Sequence, residues 1–217
     1  MANARYGGYN LYYGSYFEES SSLTQDEMNT NANYIYFYLI DKGWSINSIC
    51  ALLGNMQAES SLNPGRWQND EVGSTSNGYG LVQWTPASKY IDWCNEYMWD
   101  DPSKMDTNLA RIVYEVENNL QWIKTSEYDL TFEEFTKGNY TLKFLTESFL
   151  INYERPADQS ESVKNYRTSL ANDWYIYLTG INPHDTPDTP DTPGTTKRKK
   201  FNFLLFNARK RRKEWIK

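Results

Sequence analysis

Glu59 is the residue whose type and setting could most directly do chemistry in this 217-residue chain. It follows the apolar run 51–58 (ALLGNMQA) and precedes Ser60 and the helix-ending segment 61–65 (SLNPG). A carboxylic acid at the end of a buried helix is a candidate proton donor, because burial and the negative end of the helix dipole both disfavour its charged form. Cleavage of a glycosidic bond needs such a donor for its poor leaving group. The alternative is a solvated helix-end residue, since most glutamates lie on the surface.

A second carboxylate would decide the type of reaction. An inverting glycosidase needs a base about 6.5–9.5 Å from the acid, and a retaining one needs a nucleophile at about 5–5.5 Å. Asp70 and Glu71 are the candidates, and their alternative is an ordinary polar loop. Glu154, followed directly by Arg155, is interpreted as an ion pair that fixes a helix end.

Helical patterns surround these residues. Thr24 and Glu27 form a capping-box pattern that begins a first helix, which Gly43 ends, and Ser45 caps a second helix that runs to about Glu59. Thr85-Pro86 is typical of a third helix start, continuing to about residue 98. Further helices are predicted at 106–124, 131–137, 141–153 and 162–178. The sequence therefore predicts a mostly α domain with an irregular or short β insert, residues 65–84, that forms a cleft.

Two long motifs carry a family resemblance: residues 54–65 (GNMQAESSLNPG) and 78–84 (GYGLVQW). Together with 84–88 (WTPAS) and 153–157 (YERPA), they resemble the phage tail lysozyme family, including the N-terminal glycosidase domains of podovirus tail-tip morphogenesis proteins. A Glu-Ser pair that closes a helix, followed by a Gly-Leu-x-Gln segment, also resembles goose-type lysozymes and soluble lytic transglycosylases. The resemblance covers residues 24–178. It implies a lysozyme-like domain that cleaves the MurNAc–GlcNAc backbone of peptidoglycan.

The resemblance also implies residue roles. Glu59 would protonate the glycosidic oxygen, Ser60 would help to position the substrate or the carboxyl group, and Gln83 would hydrogen-bond the sugar near the cleavage point. Aromatic residues make up 16% of the chain and could fill the core or line a sugar-binding groove. Three rings are expected at the groove: Trp67, Tyr79 and Trp84. Tyr153 is expected to orient Glu59 or, alternatively, to pack at a helix end.

Several alternatives stay open at this level. If Asp70 and Glu71 do not act, the N-acetyl group or the 6-hydroxyl of the sugar would complete the reaction. The 6-hydroxyl route is that of a lytic transglycosylase and gives a 1,6-anhydro product. An inactive structural tail-tip protein and a wall-binding module are the alternatives of another class. The podovirus relatives carry a metallopeptidase domain after the glycosidase, whereas this chain continues differently, and we expect no peptide-bond cleavage.

The C-terminal part of the sequence has a different composition. We expect a lead-in over 1–23, the glycosidase domain over 24–180, an extended linker over 181–196 with three Asp-Thr-Pro triplets, and a basic aromatic tail over 197–217. The tail holds ten basic residues against one acid, a net charge of +9, which leaves the rest of the chain at −15. Teichoic acid or an anionic membrane is the preferred partner of the tail, ahead of a solvated or intramolecular role and of nucleic acid. Other phage tail proteins are further candidate partners.

The remaining composition argues against metal chemistry. One histidine, His184, and two cysteines, Cys50 and Cys94, supply too few ligands for zinc, and we expect no metal and no cofactor. Both cysteines lie in helical patterns and are expected to be reduced core residues. No signal peptide and no membrane span is recognised in the sequence. The expected location is a virion tail tip, or the host cytoplasm before release to the cell wall as an endolysin.

Overall fold

The computed structural model describes residues 22–181 and the two short segments 2–3 and 9–10. The short segments form an antiparallel pair of strands, β1 (Ala2–Asn3) and β2 (Tyr9–Asn10), with Ala2 opposite Asn10. The Asp-Thr-Pro linker, His184 and the basic tail lie outside the described residues, as does most of the lead-in. Within the described part no helix has the length and apolar composition needed to cross a bilayer.

Residues 22–181 are mostly helical, as the sequence predicts. A single π-helical turn, Cys94–Met98, extends the third helix, and another, Leu150–Glu154, extends the sixth. The seven α-helices of this region are α1 (Gln25–Asp41), α2 (Ile46–Ser60), α3 (Ser88–Trp93), α4 (Met105–Glu117), α5 (Phe132–Lys137), α6 (Leu142–Phe149) and α7 (Glu161–Thr179).

The helix starts follow from local capping. Thr24 Oγ1 accepts from the backbone N–H of Glu27, and Glu27 Oε2 accepts from the backbone N–H of Thr24 at 2.8 Å, so the predicted capping box is confirmed. Ser45 Oγ accepts from the backbone N–H of Ser48 at 3.1 Å at the start of α2. Each such cap satisfies N–H groups that have no partner inside the helix.

Helix α2 is the centre of the domain and contacts α1, α5, α6 and α7. Its residues from Ser48 to Met56 are fully buried, including Ile49, Leu52 and Leu53. Burial of each large apolar side chain contributes about 1.5–3 kcal/mol, so α2 is a stable base for the residues at its C-terminal end. Cys50, on this helix, and Cys94 are both buried free thiols, as expected.

Two predicted helix boundaries are wrong. Thr85 does not cap α3, because its hydroxyl donates to the carbonyl of Gln83 at 2.9 Å and the helix begins at Ser88. The helix predicted over 106–124 ends at Glu117, because Asn119 and Gln121 adopt left-handed backbone conformations with φ of 50° and 64°. The connection from α4 to α5 is therefore a loop.

The insert between α2 and α3 is irregular, with one 3₁₀ turn, Gln68–Asp70. It contains isolated β-bridges that join Trp67 to Tyr79 and Tyr79 to Trp84, and no strand of its own. The bridge between Tyr79 and Trp84 closes a tight loop that carries Gln83. The expected irregular insert is therefore present, held together by bridges.

Candidate active site

A cleft of about 570 Å³ opens between the insert, the end of α2 and the π-turn after α6. Two of its lining side chains are carboxylic acids, Glu59 and Glu154. The residues that line the cleft are Glu59, Arg66, Trp67, Gln68, Asn69, Gln83, Thr85, Glu154, Arg155, Pro156 and Ala157.

Glu59 lies on the last turn of α2, at the place that the sequence predicts. The helix ends because Ser61 and Leu62 take left-handed conformations, with φ of 54° and 55°. The neighbouring Ser60 is buried, and its hydroxyl donates to the carbonyls of Met56 at 3.0 Å and Leu81 at 2.9 Å. Ser60 therefore ties the end of α2 to the insert, and the Glu59 side chain keeps 20% of its surface exposed.

Arg167 on α7 is the partner of Glu59. Its Nη2 donates to Glu59 Oε1, and its Nη1 donates to the backbone carbonyl of Asn55 at 2.7 Å. The Arg167 side chain is only 9% exposed, so this ion pair is largely shielded from water. Shielding strengthens the attraction between the two charged groups.

Gly54 makes this contact possible. A Cβ atom at this position would lie 2.7 Å from the backbone nitrogen of Ala171 and 2.8 Å from the carbonyl oxygen of Arg167. The absence of a side chain lets α7 approach α2 closely enough for Arg167 to reach Glu59. Sequence reasoning missed Arg167; its only signal is a basic residue in line with the buried Ala171 and Trp174 of α7.

Glu154 is the second carboxylic acid of the cleft. It is the last residue of the π-turn, which ends where Arg155 takes a left-handed conformation with φ of 52°. Its Oε1 is buried and has no hydrogen-bond partner among the described residues. The interpretation of Glu154 and Arg155 as an ion pair is not supported, because the Arg155 Nη1 donates instead to the carbonyls of Gln121 and Asn152, both at 2.6 Å.

Burial raises the pKa of Glu154 well above the ordinary value for glutamate, and the neighbouring charge of Glu59 raises it further. Arg167 and Arg155 lower it, but do not offset these effects. Burial and the charge of Glu59 thus favour the neutral form of Glu154, next to the Glu59–Arg167 ion pair. The signal for Glu154 was present in the YERPA motif, but the motif did not show which way the side chain points.

Gln83 lines the cleft from the insert, in a left-handed conformation with φ of 48°. Its Nε2 donates to the carbonyls of Arg66 at 3.0 Å and Gly80 at 2.9 Å, which fixes the side chain. A Cβ atom at Gly78 would lie 2.9 Å from Gln83 Oε1, so glycine is needed there for the amide to fit. The structure thus brings Gln83 to the same cleft as Glu59.

The aromatic rings expected to meet a glycan are buried. Trp67 and Tyr79 have no exposed surface, and Trp84 is 3% exposed. The ring of Trp84 stacks on Tyr90 with centroids 4.3 Å apart, and the ring of Tyr79 lies 4.4 Å from that of Trp67. Trp67 is among the residues that line the cleft and Tyr79 and Trp84 are not, so the burial of these rings favours support of the cleft wall over stacking on a sugar.

Tyr153 contacts another acid. Its hydroxyl donates to Glu115 Oε2 at 2.5 Å, and not to Glu59. Glu115 Oε1 accepts from Trp84 Nε1 at 3.1 Å and from Arg111 Nε at 2.8 Å. Burial raises the pKa of Glu115, while Arg111, Tyr153 and Trp84 lower it. This cluster joins the residue before Glu154 to the residue after Gln83, so it connects two walls of the cleft.

Asp70 and Glu71 lie elsewhere. Both are exposed, and neither lines the cleft. Asp70 pairs with Arg66 at 3.3 Å, and Glu71 accepts from the side-chain amide of Asn77. The second acid that the structure brings to Glu59 is Glu154.

The family follows from comparison with known proteins. The model of the phage tail lysozyme family matches residues 30–178. Morphogenesis protein 1 of Bacillus phage B103 is 45% identical over 165 residues, which cover 76% of this chain and 44% of the relative, so the chain spans less than half the length of that protein. Because the family match covers most of the chain, including α2, the insert and α7, the chain belongs to the phage tail lysozyme family.

Proposed function

We propose that this domain is a glycosidase that cleaves the MurNAc–GlcNAc backbone of peptidoglycan. The observation that carries the proposal is the position of Glu59: a shielded carboxyl group, on a buried helix end, in a cleft that also holds Glu154 and Gln83. Family membership supports the substrate class. A polar cleft with carboxyl groups suits a glycan, whose hydroxyl and amide groups need hydrogen-bond partners.

In the proposed reaction Glu59 delivers a proton to the glycosidic oxygen. The bonding electrons leave with that oxygen, and the sugar carbon develops positive charge. Gln83 contacts the sugar beside the bond that breaks. Its side chain is held in place for this contact by hydrogen bonds to the carbonyls of Arg66 and Gly80. Ser60 keeps the end of α2 against the insert, which holds Glu59 at a constant distance from Gln83.

The relative from phage B103 is named a morphogenesis protein, which supports a role for this chain in the virion. We place the activity at a phage tail, where a glycosidase would open the cell wall. The buried rings of Trp67, Tyr79 and Trp84 keep the insert in shape under this proposal, and do not bind the substrate.

A turbidity assay on purified sacculi tests the proposed function. Glu59→Gln keeps the size of the side chain but cannot deliver a proton, and we expect a rate at least about 100-fold below that of the wild type. Glu117→Gln is the matched control, since Glu117 is an exposed glutamate at the end of α4 and should retain the wild-type rate. Equal rates for Glu59→Gln and wild type would refute the assignment, and an inactive wild type would refute the function.

A further inference from the structure

We propose that Glu154 stores the proton that Glu59 delivers, so that the two carboxyl groups act as a pair with one proton between them. The inference rests on the proposed function and assigns a catalytic role to Glu154 in addition to the expected acid, Glu59. Both side chains line the same cleft, where Glu59 comes from the last turn of α2 and Glu154 from the π-turn after α6.

The hydrogen-bond partners of the two acids differ. Glu59 Oε1 accepts a charge-assisted hydrogen bond from the guanidinium group of Arg167. Glu154 Oε1 is buried without any donor among the described residues, and an unpaired buried carboxylate is far more costly than a neutral acid. The missing donor therefore favours the neutral form at Glu154, beside the ion pair of Glu59 and Arg167.

The charged groups around Glu154 come from four elements. Besides burial, the carboxyl groups of Glu59 on α2 and Glu115 on α4 raise its pKa, whereas Arg167 on α7 and Arg155 at its own turn lower it. Tyr153 has a strongly raised pKa of its own and stays neutral. The balance favours protonated Glu154 as long as Glu59 is ionised, which is the behaviour of two coupled acids that share a proton.

Over one reaction cycle the pair of Glu59 and Glu154 gives up one proton and regains one. The proton of Glu154 passes to Glu59, and Glu59 gives it to the glycosidic oxygen as the bond to the sugar carbon breaks and its electron pair moves to that oxygen. A water molecule adds to the sugar carbon and loses one proton to the carboxylate of Glu154. If the 6-hydroxyl of the sugar attacks instead, it loses its proton to the same group. In either case the pair ends with the single proton with which it began.

The test is the pH dependence of kcat/KM for wild type and Glu154→Gln on sacculi. Glutamine has the shape of a neutral glutamic acid and preserves any purely structural role, but it cannot release a proton. We expect the loss to grow as pH rises and to reach at least about tenfold at neutral pH, with the alkaline limb moved to lower pH. Glu154→Asp should restore part of that limb, and Glu117→Gln should follow the wild type.

Two kinetic outcomes overturn the proposal. An unchanged pH profile in Glu154→Gln means that the proton of Glu154 is not used, and an equal loss at every pH means that the residue is structural. Both differ from failure of the proposed function, in which the wild type itself is inactive. Infrared spectroscopy at neutral pH gives a readout without substrate: a protonated carboxyl band in the wild type should be lost in Glu154→Gln, and its absence from the wild type also overturns the proposal.

Discussion

Glu115 is a buried acid and Glu154 is a half-buried acid of the cleft, and the two are surrounded differently. Glu115 accepts hydrogen bonds on both oxygens, from Trp84, Arg111 and Tyr153. Glu154 has a buried oxygen without a donor and faces a second acid, Glu59. A buried polar group with every partner in place stabilises the fold, whereas one left incomplete lowers stability and is retained at functional sites. Under our proposal, this contrast separates a structural acid, Glu115, from a reactive one, Glu154.

The largest expected effect on stability is at Glu115. Glu115→Gln removes the charge that pairs with Arg111 and disturbs the acceptors of Trp84 and Tyr153, and breaking a buried pair in this way costs about 3–5 kcal/mol. Urea unfolding measures the change. Glu117→Gln, two residues along the same helix and exposed, should change the free energy of unfolding by less than about 0.5 kcal/mol. If the two variants were equally stable, the structural role of Glu115 would be refuted.

A smaller effect on stability is expected at Gly54, where α2 packs closely against α7. Alanine in a helix normally gains about 1 kcal/mol over glycine. Here the added methyl group would meet backbone atoms of α7, which cannot move aside without shifting the helix, so a net loss of about 1–3 kcal/mol is expected. The displacement would also carry Arg167 away from Glu59 and lower kcat/KM. A more stable Gly54→Ala protein with full activity would contradict the close packing of α2 and α7.

The pH dependence of stability should differ between the wild type and Glu154→Gln, and the difference isolates the titration of Glu154 from that of all other groups. Because its pKa is raised in the folded state, the folded protein binds more protons than the unfolded chain, and this contribution to stability is lost as pH rises from the ordinary glutamate value through the raised pKa. Glu154→Gln lacks that loss. Its free energy of unfolding should therefore rise relative to the wild type as pH increases, by at most about 1.4 kcal/mol per pH unit. Parallel curves for the two proteins, measured by thermal unfolding, would count against a neutral Glu154.

Much of the fold was predictable from local signals. Thr24, Glu27 and Ser45 mark helix starts through short-range hydrogen bonds, and the apolar spacing placed Glu59 at the end of α2. The prediction failed where short-range signals were weak or competed: Thr85 bonds Gln83 instead of capping a helix, and the apolar pattern after Glu117 belongs to a loop that turns at Asn119.

The site was less predictable, because its contacts join residues far apart in the chain. Arg167 reaches Glu59 across 108 positions, and Tyr153 reaches Glu115 across 38. A sequence pattern also does not tell a ring that binds a sugar from one that fills a wall, and the same GYGLVQW segment supplied one cleft residue, Gln83, and two buried rings, Tyr79 and Trp84.

The direction in which Glu154 leaves the backbone depends on the number of residues in the π-turn at the end of α6. The backbone N–H of Arg155 bonds the carbonyl of Leu150, five residues back, at 2.8 Å, so the turn holds one residue more than an α-helical turn would. Removal of one residue from the first three of the turn, Leu150, Ile151 or Asn152, would restore ordinary spacing and rotate the residues that follow by about 100°. Glu154 would then leave the cleft although no side chain of the site had been replaced. Among relatives, a one-residue gap at this turn would be as informative as a substitution of the acid itself.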